Sequence, residues 1–268
     1  MTHSNLPVVG KGPIEPFQAS SLVIQNLSCR YRSTNNLVLR GIDLCIPKGE
    51  QVALLGASGA GKSTLMKCIS QLIRPAEGRI VLEGREIWSL KARSSSENHH
   101  SIGMIFQEFA LIERLTALEN VLIGCLGRVA VLPSVLGIYP KQEKAFAIAC
   151  LEQVGMDRDA DQKVQDLSGG QRQRVAIARV LAQRPKVILA DEPVSNLDPP
   201  LRRRTMQLLT DICLRERISL LVSLHFPDLV AEFTTRTIGL RDGQIIFDRV
   251  SDYLTKDDLS HIYGKVES

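Results

Sequence analysis

Aromatic side chains are scarce, at 4% of the 268 residues with a single tryptophan, so no platform for stacking unpaired bases is visible. Long apolar runs are missing as well. The best candidate, Val121 to Ile138, is interrupted by Arg128, Pro133 and three glycines, short of the ~18 uninterrupted apolar residues that a membrane helix needs. Cysteine pairs are absent: Cys29, Cys45, Cys68, Cys125, Cys150 and Cys213 stand singly, without the spacing of a metal site or the density of a secreted disulfide framework. They read as buried thiols. An excess of one charge is also lacking, since 33 basic residues nearly balance 29 acidic ones and only Arg202 to Arg204 form a tight basic run. That run reads as a solvated helix face, and nucleic acid is not an expected partner. Met1 to Ser20 hold three prolines and two glycines but neither a basic start nor a continuous apolar stretch, which predicts a flexible leader at 1–20 in place of a signal peptide.

What is present suffices for a full core. With 44% hydrophobic and 23% charged residues over this length, one domain with a sizeable insertion is expected. Leu22 to Cys29 and Ile42 to Ile46 alternate, and Gly78 to Ile87 reads as strand, Glu-Gly turn, strand, which predicts a small antiparallel sheet near the start. Val52 to Leu55, Val187 to Ala190 and Leu220 to Leu224 are purely apolar, as strands buried on both faces of a parallel sheet are. Helical periodicity at Ser63 to Leu72 and Gln171 to Ala182 makes the fold class α/β. A mostly helical stretch, with Leu115 to Leu126 and Gln142 to Val154 as its clearest helices, predicts an inserted helical subdomain at about 108–166. Arg236 to Leu240 and Gln244 to Phe247 flank the hairpin signal Asp242-Gly243.

Chemistry enters with Gly56-Ala57-Ser58-Gly59-Ala60-Gly61-Lys62-Ser63, followed by Thr64. The segment follows an apolar strand and opens a helix, the context in which this pattern is a phosphate loop. Glycines 56, 59 and 61 let backbone N–H groups turn inward around phosphate oxygens, and the helix N-terminus adds a favourable dipole. Lys62 would reach the β- and γ-phosphates of ATP, and the Ser63 hydroxyl would ligate Mg2+. Lys186 to Ala190 ends in Asp191-Glu192. The first carboxylate reads as the metal-side residue, acting through water, and the second as general base; a surface acidic pair capping a helix is the alternative. Leu167-Ser168-Gly169-Gly170-Gln171 stands just before a helix and offers a second set of donors aimed at phosphate, although Ser168 alone would make a good N-cap.

From about Leu22 to Phe247 these motifs, in this order, resemble the ATP-binding cassette ATPases. The resemblance implies a P-loop nucleotidase core with a mostly parallel sheet, an N-terminal antiparallel β subdomain and an inserted helical subdomain, together spanning 21–268. It makes Leu167 to Gln171 the signature, reaching across a head-to-tail homodimer to the partner's nucleotide. Gln107, in Gly103-Met104-Ile105-Phe106-Gln107, looks like the glutamine that contacts magnesium. Ser195-Asn196-Leu197-Asp198 looks like the D-loop, with Asp198 at the nucleotide, and His225 like the switch histidine at the γ-phosphate. Tyr31 stands where members place an aromatic on adenine; it would also simply close a strand. Ile102 to Gln107, Leu111 to Gly127, Gly137 to Pro140, Val222 to His225 and Ile238 to Gly243 resemble the ATPase subunit of bacterial phosphonate importers. That likeness implies a peripheral protein on the cytoplasmic face of the inner membrane, working with permease subunits and, indirectly, a periplasmic or lipid-anchored solute-binding protein. The exposed apolar residues of the helical subdomain, especially Leu122 to Leu136, are the expected permease-docking surface, with ordinary core packing within that subdomain as the alternative for any one of them. An importer for a polar amino acid or inorganic oxyanion is the first alternative, and a soluble cassette ATPase acting on nucleic acid the second.

Overall fold

The computed structural model describes residues 20–31, 36–89, 101–129 and 137–263. The predicted leader, apart from Ser20, and the second half of the expected docking run lie outside them. Four strands, β1 (Ser20–Arg30), β2 (Leu37–Pro47), β4 (Glu77–Leu82) and β5 (Arg85–Ser89), form an antiparallel sheet in the order β2-β1-β4-β5. Six others, β3 (Gln51–Leu55), β6 (Ile102–Ile105), β7 (Val187–Ala190), β8 (Ser219–Ser223), β9 (Arg236–Arg241) and β10 (Gln244–Val250), form a second sheet in the order β10-β9-β3-β8-β7-β6. All of its pairings are parallel except that of β10 with β9.

The apolar runs have a simple cause. Along β3, Ala53 and Leu55 enter one hydrophobic cluster while Val52 and Leu54 enter another, and β7 divides likewise into Ile188 and Ala190 against Val187 and Leu189. A strand covered on both faces has no solvent side to make polar. The first cluster lies under helices α2 (Ala117–Ile123), α3 (Lys141–Gln153), α4 (Gly169–Ala182), α5 (Pro199–Glu216) and α6 (Pro227–Phe233). The second holds the antiparallel sheet and α1 (Lys62–Ile69). Helix α7 (Lys256–Tyr263) adds Ile262 to the first cluster.

Several boundaries differ from the sequence reading for local reasons. Helix α1 ends at Ile69 instead of Leu72, because Gln71 turns to φ 63. Helix α2 starts only after Thr116, whose hydroxyl accepts the Glu119 N–H while the Glu119 carboxylate accepts the Thr116 N–H, a capping box. It ends at Gly124, where an added Cβ would lie 2.2 Å from the Arg179 carbonyl oxygen of α4. Of the docking run, Leu122 is core, at 4% exposure, whereas Leu126 is exposed. Arg203 and Arg204 are solvated as expected, but Arg202 is half-buried with its guanidinium 4.1 Å from the Phe226 ring centroid. Five of the six cysteines are buried and Cys45 is half-buried, all as free thiols. Among the described residues no helix is long and apolar enough to cross a membrane.

Candidate nucleotide-binding and catalytic site

The phosphate loop leaves β3 at Gly56, where an added Cβ would stand 2.6 Å from the Leu240 carbonyl oxygen of β9. Gly59 and Gly61 have φ of 80 and 109, the left-handed side that glycine adopts without strain. The hairpin turn between β9 and β10, with Asp242 at φ 50 and Gly243 at φ 76, braces this loop. Its Gly243 N–H donates to the Ala60 carbonyl at 3.1 Å, and its carbonyl accepts the Arg40 N–H at 2.9 Å. Helix α1 then opens on Gly61 with no side-chain cap and no acidic residue in its first turn. By contrast α2, α4 and α5 are capped by Thr116, Ser168 and Asp198. An uncapped helix start with free N–H groups is an anion site by its dipole and its donors.

Lys62 makes the anion site cationic. It is 5% exposed, and its Nζ donates to the carbonyls of Gly56 at 2.7 Å and Ala57 at 3.3 Å. Burial pulls its pKa below the ordinary lysine value, while the charges of Glu192 and Asp191 push it back up. A buried ammonium against uncapped helical amides fits a polyphosphate. Ser63 and Asp191 are oxygen donors of the class that a small hard cation takes.

The carboxylates come from the next strands. Parallel pairing of β3 with β8 and β8 with β7 puts the loops after these strands on one edge of the sheet. Asp191 and Glu192 follow β7, and the Asp191 N–H donates to the Ile105 carbonyl of β6 at 2.9 Å. His225 stands two residues past β8, and its Nε2 is 2.6 Å from Glu192 Oε1, the imidazole N–H donating when the carboxylate is ionised. Glu192 has φ 49, an uncommon conformation for a side-chain-bearing residue and one that points to function when it occurs in a site. Its N–H donates to Ser223 Oγ at 2.8 Å, Ser223 Oγ donates to Asp191 Oδ1 at 3.0 Å, and Ser195 Oγ donates to the Glu192 carbonyl at 3.1 Å. Ser195 opens the D-loop-like segment and Ser223 lies in the stretch Val222 to His225, but neither bond is legible in the sequence; only the strand register brings Ser223 beside the acidic pair.

The remaining expected residues divide. The Tyr31 hydroxyl lies 3.0 Å from Thr64 Oγ1, so this ring sits beside the phosphate loop. Gln107 is exposed two residues beyond β6, at the strand end that also leads to Asp191 through the Ile105 carbonyl. Ser168 to Gln171 bond to their own helix start and to Asp159: Ser168 Oγ accepts the Gln171 N–H at 3.3 Å and Gln171 Oε1 accepts the Ser168 N–H at 2.9 Å. None of these bonds reaches Gly56 to Thr64. Gly169 has open space where a side chain would stand, whereas a Cβ on Gly170 would meet Leu201 at 2.9 Å. Asp198 caps α5, its Oδ1 accepting the Leu201 N–H at 3.0 Å. Sequence reasoning missed Arg202, whose Nε donates to the Leu197 carbonyl while its plane covers Phe226, joining the Ser195 to Asp198 turn to the residue after His225.

Known proteins resemble this chain in sequence and in fold. A family described as "ABC transporter" matches residues 39–195. The "Phosphonates import ATP-binding protein PhnC" of Wolinella succinogenes is 44% identical over 246 residues, 92% of this chain and 89% of that protein. "Phosphonates import ATP-binding protein PhnC 1" of Rhodopseudomonas palustris strain HaA2 is 43% identical over 244 residues, 91% and 87% of the two chains. Among solved structures, the ADP conformation of the ATP-binding cassette MJ1267 superposes with a TM-score of 0.78 at 26% identity, covering 92% of this chain and 99% of that one. The dimeric, post-hydrolysis cassette MJ0796 bound to ADP and Pi gives a TM-score of 0.71 at 32% identity, covering 86% and 98%. With motifs, fold and relatives in agreement over nearly the whole described chain, this protein belongs to the ATP-binding cassette family of transporter ATPases.

Proposed function

We propose that this chain is the ATP-hydrolysing subunit of an importer that takes up phosphonates or related phosphorus oxyanions. The hydrolytic part is carried by one observation, the 2.6 Å pairing of His225 with Glu192 on the sheet edge that also presents Lys62 and Asp191. The solute is supported by relatives 41–44% identical whose names state phosphonate import.

In this reading the amides of Gly56 to Thr64 and the Lys62 ammonium cradle the phosphates of ATP, and Tyr31 stacks on its adenine. Ser63, Gln107 and, through water, Asp191 would hold Mg2+, which would supply positive charge to offset that building on the transferred phosphoryl group. Glu192 orients the attacking water and accepts its proton, and His225 holds that carboxylate and contacts the γ-phosphate. Ser168 to Gln171 and Asp198 serve the nucleotide of a second copy, so the working unit is a head-to-tail homodimer. The exposed Ile112, Leu126, Ile138 and Ile148 of the helical subdomain then face permease subunits at the cytoplasmic side of the membrane. A separate solute-binding protein delivers the cargo.

The solute assignment is tested on the solute-binding protein encoded beside this chain's gene, titrated calorimetrically with alkylphosphonates, phosphite, phosphate and polar amino acids. Tight and selective phosphonate binding is expected. A preference for another ligand removes the solute claim and leaves the ATPase in place.

A further inference from the structure

We propose that Ser223 is a positioning residue that fixes the metal-side carboxylate and the general base with a single hydroxyl. The proposal rests on the roles given above to Asp191 and Glu192. Ser223 is the last residue of β8 and fully buried. Parallel pairing sets Ala190, the end of β7, opposite Val222. The next residues along both strands are therefore Asp191 and Ser223.

A serine hydroxyl has one proton and two lone pairs. Here the proton goes to Asp191 Oδ1 at 3.0 Å and a lone pair accepts the Glu192 N–H at 2.8 Å. The bond to the amide matters because Glu192 holds φ 49, and its carbonyl end is already fixed by Ser195 Oγ at 3.1 Å. The Glu192 main chain is thus pinned on both sides of a strained residue. Strand β8 restrains the base twice, through Ser223 on its backbone and through His225, two residues on, at its carboxylate. Removing the hydroxyl leaves Asp191 without that donor and the Glu192 N–H without an acceptor, and such losses cost more when a charged group is one of the partners.

A purely structural strand-end hydroxyl would change stability and nothing else. The separating experiment compares Ser223→Ala and Ser223→Thr in the full chain. It follows steady-state hydrolysis, thermal midpoint, and binding of a non-hydrolysable ATP analogue in EDTA and in rising Mg2+. The expected alanine variant is folded, binds the analogue in EDTA as the parent does, needs several-fold more Mg2+ for half-maximal tightening, and turns over roughly tenfold more slowly. Threonine, which keeps the hydroxyl, restores both. A folded alanine variant with parental turnover and parental Mg2+ dependence overturns the proposal, as does a folded threonine variant that behaves like alanine. Glu192→Gln is run alongside: turnover persisting there overturns the general-base reading itself, whereas a silent Glu192→Gln beside a normal Ser223→Ala overturns only the role of Ser223.

Discussion

Two of the three ammonium donors of Lys62 are spent on the carbonyls of its own loop, at 2.7 and 3.3 Å. The third remains for a ligand. Tyr31 shows the same economy at the loop's far side, since its hydroxyl is tied to Thr64 while it remains 38% exposed. The ring and the hydroxyl are separable. If Tyr31 stacks on adenine, Tyr31→Phe keeps ATP affinity near the parental value, whereas Tyr31→Ala weakens it by roughly 1–3 kcal/mol, the usual loss of base stacking on an aromatic side chain. Equilibrium titration with a fluorescent ATP analogue checks this. Equal affinities for the alanine variant and the parent would leave Tyr31 as a strand-closing residue.

Helix starts are of two kinds. Helices α2, α4 and α5 each cap an N–H of their first turn with a side chain, whereas α1, α3 and α6 have no side-chain cap, and of these three α1 is the one that follows the glycine loop and carries the buried Lys62. Ser168 belongs to the capped kind, yet the nucleotide reading also gives it to a partner's phosphate. Ser168→Asp separates the two, because aspartate caps as well as serine but places a negative charge where phosphate is to bind. The expected variant keeps its thermal midpoint and loses ATP turnover; retained turnover would confine Ser168 to capping.

The same elements explain what was legible. Strands β3, β7 and β8 could be read because burial on both faces forces continuous apolar runs, and Asp242-Gly243 because a tight hairpin needs two residues at positive φ. Helix ends were read too long where Gln71 and Gly124 stop them through a left-handed turn and a close helix contact, neither of which alters hydrophobic periodicity. The four-residue β6 and the seven-residue α6 are too short to show a period of their own. In the site, Lys62, Asp191, Glu192 and His225 announce themselves by motif. The bonds of Ser223 to Asp191 and the Glu192 N–H, the bond of Ser195 to the Glu192 carbonyl and the contact of Arg202 with Phe226 become visible only through register and packing, since a motif names residues and not their partners.

On the scale of the whole molecule, two hydrophobic clusters clamp one sheet, and the ends of β3, β6, β7 and β8 gather the proposed hydrolytic groups at one edge. Ser168 to Gln171, held to their own helix start, do not bond to the phosphate loop of the same chain. In the function proposed above, a single copy presents two half-sites and a second copy is needed to join them. The most direct test is the mass of Glu192→Gln in solution, by sedimentation or light scattering, with and without ATP and Mg2+. The expected result is a monomer that becomes a stable dimer retaining unhydrolysed ATP, with turnover lowered by roughly 10²–10⁴-fold, the usual contribution of a general base. A variant that binds ATP yet stays monomeric, or that hydrolyses at the parental rate, would contradict it.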